Sequence, residues 1–145
     1  MMIKILLVDD LKANLLALEG ILRRDDLEIF KAYSGNEALD FMIYHEFDLA
    51  IIDVQMPNMS GFELAELMRA VKKTKNIPII FVSATTKEQY LSFKGYESST
   101  VDFLPKPLDP DEVKNKVNSF IEQKNSISPL LSSLSENAVH RSIEI

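Results

Sequence analysis

The sequence predicts an α/β fold, a doubly wound five-stranded parallel sheet with five helices in two layers. Short apolar segments alternate with amphipathic ones along the 145 residues, which is typical of parallel strands joined by helical crossovers. Segments 49–52 and 79–82 are apolar throughout, as are strands buried on both faces. Segment 27–32 alternates between apolar and polar residues, which predicts an edge strand.

The composition excludes several classes of protein. Hydrophobic residues make up 46% of the chain and charged residues 26%, the ordinary balance of one globular domain. No apolar run approaches the roughly 20 residues of a membrane-spanning helix, and there is no cysteine for disulfides or thiolate sites. The net charge of −6 argues against a nucleic-acid surface. We therefore expect a cytoplasmic protein without membrane insertion or direct nucleic-acid binding.

Three helices are predicted in the first half of the chain: two lie between strands 3–8, 27–32 and 49–53, and the third follows strand 49–53. The first covers about 11–24 by its helical spacing of leucines. The next two begin with capping-box patterns, at Ser34 and at Ser60, each with a glutamate three residues later. The residues expected to face the core are Leu11, Leu15, Leu18 and Leu22 in the first helix, Leu39, Met42 and Ile43 in the second, and Leu64, Leu67, Met68 and Val71 in the third.

The second half continues the alternation. Strand 79–83 follows Pro78, a fourth helix is predicted from Thr86, and 101–104 is a short fifth strand. Asp109 and Pro110 are typical of the N-cap and first position of a fifth helix, whose expected core side chains are Val113, Val117, Phe120 and Ile121. Residues 125–145 contain six serines and no aromatic residue. We therefore divide the chain into a domain over 1–124 and a Ser-rich linker or short docking segment over 125–145.

Polar residues stand at the ends of four predicted strands: Asp9 and Asp10, Asp53, Ser83, and Lys106. The carboxyl ends of parallel strands share one edge of the sheet, so these side chains should converge there. Three carboxylates favour a hard divalent cation, Mg²⁺ best of all, and the ammonium and hydroxyl favour a phosphoryl group beside it. Asp53 is then either a ligand or the nucleophile of an acyl phosphate. Taken alone, Asp9 or Asp10 would be interpreted as a helix cap.

The chain resembles the receiver domain of two-component response regulators, which are phosphoacceptor modules with a flavodoxin-like fold. The resemblance covers residues 2–124 and rests on four motifs: Leu7-Val8-Asp9-Asp10, Asp53 followed by Met56-Pro57 and Gly61, Val82-Ser83-Ala84, and Asp102-Phe103-Leu104-Pro105-Lys106-Pro107. It implies the strand order 2-1-3-4-5. It also implies a regulator, not an enzyme with its own substrate, that assists its own phosphorylation and dephosphorylation.

The resemblance assigns roles to the pocket residues. Asp53 would accept a phosphoryl group from the phosphohistidine of a histidine kinase or phosphotransfer protein. Asp10 and Asp53 would bind Mg²⁺ directly, Asp9 through water, and Gln55 through its backbone carbonyl. Ser83 and Lys106 would contact phosphoryl oxygens, and the Lys106-Pro107 peptide would be cis.

The resemblance also implies a switch and a readout surface. Movement of Ser83 would let the ring of Phe103 turn inward and alter the surface of the fourth helix, fifth strand and fifth helix, which could also form a homodimer. Tyr90, Leu91 and Tyr96 are candidates for exposure there. Ser99-Thr100 stands where the family usually has Gly-Ala, so the adjoining loop departs from the family pattern. A downstream effector or a fused output domain would read this surface.

Other functions remain as alternatives. The chain could be the receiver portion of a larger hybrid histidine kinase or effector. A Mg²⁺-dependent phosphatase of the haloacid dehalogenase type would need a second acid two residues after the nucleophile, where Gln55 stands. A flavodoxin-like cofactor binder would need a phosphate loop after the first strand, where Asp9 and Asp10 would repel phosphate. A degenerate receiver that only docks is disfavoured by the complete set of pocket residues.

Overall fold

A computed structural model of the chain describes residues 2–84 and 101–123. Its strands are β1 (Ile3–Val8), β2 (Leu27–Ala32), β3 (Leu49–Asp53), β4 (Ile79–Ser83) and β5 (Val101–Pro105). Its helices are α1 (Lys12–Leu22), α2 (Gly35–Tyr44), α3 (Gly61–Ala70) and α4 (110–123). Among the described residues, no helix is both long and apolar enough to cross a membrane.

The five strands form one sheet in the order β2-β1-β3-β4-β5, with every neighbouring pair parallel. This confirms the predicted topology. The register pairs Asp53 with Val82 and Ser83 with Pro105. The carboxyl ends of β3, β4 and β5 therefore reach the same edge of the sheet.

The burial of the strands follows the sequence pattern. Every residue of β3 and β4 is buried, whereas only the first and last residues of β2 are, as expected of an edge strand. Alternate strand residues such as Leu6, Ile52 and Phe81 share a core cluster with buried residues of α2 and α3. The opposite face carries α1, whose Leu15 and Leu18 line a cavity with strand residues of that face.

Both predicted capping boxes begin helices, although only one is reciprocal. Ser60 Oγ accepts a hydrogen bond from Glu63 N (3.1 Å), and Glu63 Oε1 accepts one from Ser60 N (3.1 Å). Ser34 Oγ accepts a hydrogen bond from Glu37 N (3.0 Å) in the same way. The Glu37 carboxylate instead accepts from Tyr33 N (3.2 Å), one residue before the cap.

Four residues predicted to face the core are exposed instead: Leu11, Ile43, Leu67 and Val71. Leu11 is the N-cap of α1, and Val71 is the C-cap of α3, so both lie outside the regular turns. Ile43 and Leu67 each lie one residue, or about 100° round the helix, from the row of buried side chains on their helix. The other predicted core positions of α1 and α3 are buried.

The described residues contain four helices, not the five that were predicted. The predicted fourth helix, from Thr86, lies within 85–100 and thus outside the described residues. The predicted fifth helix is α4. It begins at 110 as expected, because Asp109 Oδ1 accepts a hydrogen bond from Asp111 N (3.0 Å) and Asp109 O accepts one from Val113 N (3.0 Å).

Residues 2–113 belong to one compact unit of the chain. All five strands, α1, α2 and α3 lie within it. Residues 114–123, which complete α4, belong to a second unit. The division of the chain at 124 into a domain and a Ser-rich segment stays a prediction, since 124–145 lie outside the described residues.

Candidate functional site

Three carboxylates meet at the carboxyl edge of the sheet. Asp53 is the last residue of β3, and Asp9 and Asp10 directly follow β1. Ligand oxygens of the three lie within 4.8 Å of one another. Asp9 and Asp53 are buried, with 6% and 4% of their surface exposed, and Asp10 is half-buried. The sequence prediction that these acids converge is therefore confirmed.

Asp9 is held in place by three hydrogen bonds. Its Oδ1 accepts from Leu11 N (2.9 Å), its Oδ2 accepts from Asn14 Nδ2 (3.0 Å), and its backbone N donates to Ala32 O (3.1 Å). The first bond closes a local turn before α1, a common role of aspartate. Asp9 thus orders the start of α1 and also belongs to the acidic cluster, so the two interpretations of it are compatible.

Lys106 supplies the positive charge of the site. It directly follows β5, its backbone N donates to Ser83 O (3.0 Å), and its peptide with Pro107 is cis, as predicted. Its Nζ lies 3.2 Å from Asp53 Oδ1. Among the described residues, that oxygen has no aligned hydrogen-bond donor, so the ammonium acts on it mainly through charge.

Burial raises the pKa of Asp53 above its ordinary value, and the neighbouring charge of Asp9 raises it further. Lys106 opposes this shift, and Asp10 adds a smaller increase. Lys106 therefore compensates only in part for the lost solvation of the carboxylate. A cation bound between the acids would lower this cost, and an all-oxygen set of ligands suits a hard divalent ion. The acidic cluster can accordingly hold a metal.

Gly61 lets the backbone approach the end of β3 closely. Its N–H donates to Val54 O (2.9 Å). A Cβ at this position would collide with the carbonyl oxygen of Asp53, and it would come within 2.9 Å of Ile52 Cγ2. Only glycine fits there without a shift of the strand end, so this residue shapes the backbone beneath the acidic cluster.

The remaining predicted site residues lie at or beside the same edge. Ser83 is the last residue of β4 and is fully buried. Phe103 pairs with Phe81 in the sheet register and packs, partly buried, against the core. Gln55 is exposed and lies two residues past Asp53.

Sequence reasoning missed Asn14, whose amide reaches Asp9. It lies in the first turn of α1 and lines a cavity of about 330 Å³. Asp9, Asp53 and Lys106 line the same cavity, whose remaining walls are apolar. The available signal was its spacing from the acids. A polar side chain in the first turn of a helix can reach back to acidic residues at the end of the preceding strand.

The family follows from comparison with known proteins. Residues 5–118 match the family described as the response regulator receiver domain. The chain belongs to this family. It is thus a receiver domain of the two-component response regulators, as the sequence motifs predicted.

Curated relatives carry this receiver within longer chains. The probable transcriptional regulator ycf29 of Pyropia yezoensis is 32% identical over 81% of this chain and 53% of its own. The response regulator PleD of Caulobacter vibrioides is 32% identical over 88% of this chain and 28% of its own. The receiver described here therefore spans about half, or less, of these relatives.

Solved receiver structures agree in fold over nearly their whole length. The chemotaxis protein CheY4 of Vibrio cholerae has a TM-score of 0.74 at 29% identity, covering 83% of this chain and 99% of that one. The receiver domain of the Francisella response regulator 1452 has a TM-score of 0.71 at 28% identity, covering 83% and 98%.

Proposed function

We propose that this receiver accepts a phosphoryl group on Asp53 from the phosphohistidine of a partner kinase or phosphotransfer protein. One observation carries the proposal. A buried carboxylate at the end of a central strand lies 3.2 Å from a lysine ammonium and within 4.8 Å of two further acids. That arrangement provides a nucleophile, a charge to attract phosphoryl oxygens and ligands for a cation.

In the proposed reaction, an Asp53 carboxylate oxygen attacks phosphorus in line with the departing imidazole nitrogen. The new P–O bond forms as the P–N bond breaks, and the electron pair of that bond stays on the ring nitrogen. The Lys106 ammonium would stabilise negative charge on a transferring oxygen, and the Ser83 hydroxyl would donate to another. The backbone bond from Lys106 to Ser83 O supports these roles, because it joins the two strand ends.

The donor set fits Mg²⁺, with Asp10, Asp53 and the Gln55 carbonyl as direct ligands and Asp9 acting through water. When bound, Mg²⁺ would neutralise charge on the phosphoryl oxygens. Asp9 is suited to an outer role, because its two carboxylate oxygens already accept hydrogen bonds from Leu11 and Asn14. Asp53 Oδ1, in contrast, has no aligned donor among the described residues.

The signal would leave the pocket through Ser83 and Phe103. Movement of the Ser83 hydroxyl toward the phosphoryl group would let the half-buried Phe103 ring turn inward. The readout surface would comprise the predicted helix from Thr86, β5 and α4, and it could pair two receivers. Tyr90, Leu91, Tyr96 and Ser99-Thr100 belong to this prediction and lie outside the described residues.

A free-standing receiver and the receiver portion of a hybrid histidine kinase or effector would use the same pocket. An effector protein or a fused output domain would read its state, and a cytoplasmic location stays a prediction. The receiver itself would act as a regulator that assists its own phosphorylation and dephosphorylation. A phosphatase of the haloacid dehalogenase type is disfavoured, since exposed Gln55 stands where that mechanism needs an acid.

Intact mass after incubation with acetyl phosphate and Mg²⁺ tests the proposal. We expect one added phosphoryl mass on the native chain and none on Asp53→Ala. Asp40→Ala is the matched control, because it removes an exposed acid on α2 and should be modified like the native chain. An unmodified native chain, or equal modification of Asp53→Ala, would refute the assignment.

A further inference from the structure

The outer surface of α2 and α3 exposes a group of apolar side chains. Ile43 near the end of α2 is 61% exposed, Leu67 in α3 is 44% exposed, and Val71 at the C-cap of α3 is 51% exposed. We call these three residues the α2–α3 patch. Clustered exposed apolar residues of this kind mark an interaction surface more often than scattered ones do.

The three side chains lie along the groove between the two helices. On α2, Phe41 packs against Phe30 of edge strand β2 (ring centroids 5.7 Å apart). Ile43 is two residues, or about 160° round the helix, from Phe41, so it is turned toward α3. Its carbonyl oxygen accepts a hydrogen bond from Lys73 Nζ (2.7 Å), which directly links the end of α2 to the segment after α3.

The apolar residues of α3 face the same groove. Phe62 packs against Phe81 of β4 (4.9 Å), which defines the β4 side of α3. Leu67 and Val71 are about 140° and 180° round the helix from Phe62, so they are turned toward α2. The residues of the α2–α3 patch are therefore all turned toward the same groove.

Charge is divided between the acidic N-terminal part of α3 and a basic segment that follows the helix. Exposed Glu63 and Glu66 lie in the N-terminal part, and exposed Lys72 and Lys75 follow the helix. Helix α3 ends at Ala70, its C-cap Val71 is extended, and the chain then forms a separate turn in which Lys75 N donates to Val71 O (2.9 Å). The surface is thus acidic at one end, apolar in the middle and basic at the other end.

We propose that the α2–α3 patch pairs with the same patch on a second copy of this chain. A two-fold axis across the middle of the patch would set the two α3 helices antiparallel and bring the apolar residues of the two copies together. The same axis would bring the acidic N-terminal part of α3, which carries Glu66, toward the basic turn after α3 of the other copy, which carries Lys72. One symmetry operation thus satisfies both the apolar and the charged contacts, as an isologous interface requires.

This association does not depend on phosphorylation of Asp53. It also uses a different surface from the readout surface of the predicted Thr86 helix, β5 and α4. It can therefore be tested on the full 145-residue chain without acetyl phosphate, and failure of the pairing would leave the proposed phosphoacceptor function untouched.

Sedimentation velocity over a series of chain concentrations up to the millimolar range tests the apolar part of the interface. We expect the native chain to form a dimer and Leu67→Glu to weaken it by at least about tenfold, because the change places like charges at the centre of the contact. Leu16→Glu is the matched control, since Leu16 is 49% exposed on α1, and it should dimerise like the native chain. A native chain that stays monomeric throughout overturns the proposal, as does a Leu67→Glu chain that dimerises normally.

Charge reversal tests the symmetry. Glu66→Lys alone and Lys72→Glu alone should each weaken the dimer, because each creates a like-charge contact twice per dimer. The double variant Glu66→Lys/Lys72→Glu restores opposite charges across the axis and should recover native association. Failure of the double variant to recover, while both single variants weaken the dimer, overturns the two-fold arrangement.

Discussion

Asn14 donates a hydrogen bond from its side-chain amide to Asp9 Oδ2 over 3.0 Å. A carboxylate only accepts hydrogen bonds, so the amide nitrogen must be the atom that faces it. With Leu11 N on Oδ1, this bond sets the orientation of the carboxylate within the acidic cluster. Asn14 is therefore a positioning residue for the proposed metal site, although it is no candidate ligand itself.

Asn14→Ala should weaken Mg²⁺ binding by about tenfold, the lower end of the range for lost outer-shell partners. The Asp9 carboxylate would lose one of its two donors and could rotate away from the site. Isothermal titration with Mg²⁺ measures the change directly. Asn36→Ala, at an exposed position of α2, should bind Mg²⁺ like the native chain, and equal affinity of all three chains would contradict the positioning role.

Gly61→Ala should destabilise the fold by about 1–3 kcal/mol, the usual cost of forcing extra atoms into a packed site. The added methyl group would meet the Asp53 carbonyl and Ile52 Cγ2, which belong to the buried end of β3. Equilibrium unfolding in urea measures the difference in the free energy of unfolding.

Gly20→Ala is the matched control for that substitution. Gly20 lies inside α1, and a Cβ there would meet nothing within 4 Å. The same chemical change should therefore stabilise the protein by up to about 1 kcal/mol through helix propensity. If both substitutions changed the free energy of unfolding in the same direction, the close approach of backbone atoms would not be the reason that Gly61 requires glycine.

Stability should depend on pH through Asp53. Because its pKa is raised in the folded state, the folded chain binds more protons than the unfolded chain between the ordinary and the raised pKa. The contribution of Asp53 to the free energy of unfolding therefore falls as pH rises through that window. At higher pH the ionised, buried carboxylate destabilises the folded chain to its full extent.

Asp53→Asn removes this titration and should be more stable than the native chain at neutral pH. The difference should shrink as pH falls to the ordinary carboxyl pKa, and urea unfolding from about pH 4 to about pH 8 covers the window. Added Mg²⁺ should also narrow the difference at neutral pH, since a ligand of the folded state stabilises it. A difference that grows toward acid pH would contradict the raised pKa.

The strands and most helix starts were predictable from the sequence, because their signals are local. Ser34 and Ser60 act on amide groups three residues away, and Asp109 acts within its own turn. The direction of side chains at helix edges was not predictable. Ile43 and Leu67 fit an apolar periodicity but lie just outside the row of buried side chains on their helices. How many side chains are buried on each helix depends on how closely α2 and α3 approach the sheet.

Which chemical groups reach the site follows from the amino-acid sequence alone. Asp53 ends a strand that is otherwise apolar, so its carboxylate lies where that strand leaves the core. The parallel topology then brings it to the same edge of the sheet as Asp9, Asp10 and Lys106. How those groups meet depends on the packing of separate elements against one another. The Asn14 amide on Asp9, the unaligned ammonium at Asp53 Oδ1 and the fit of Gly61 beneath Asp53 depend on distances between separate elements. Hydrogen bonds and steric contacts change over fractions of an ångström, whereas periodicity in a sequence specifies only which way a side chain points.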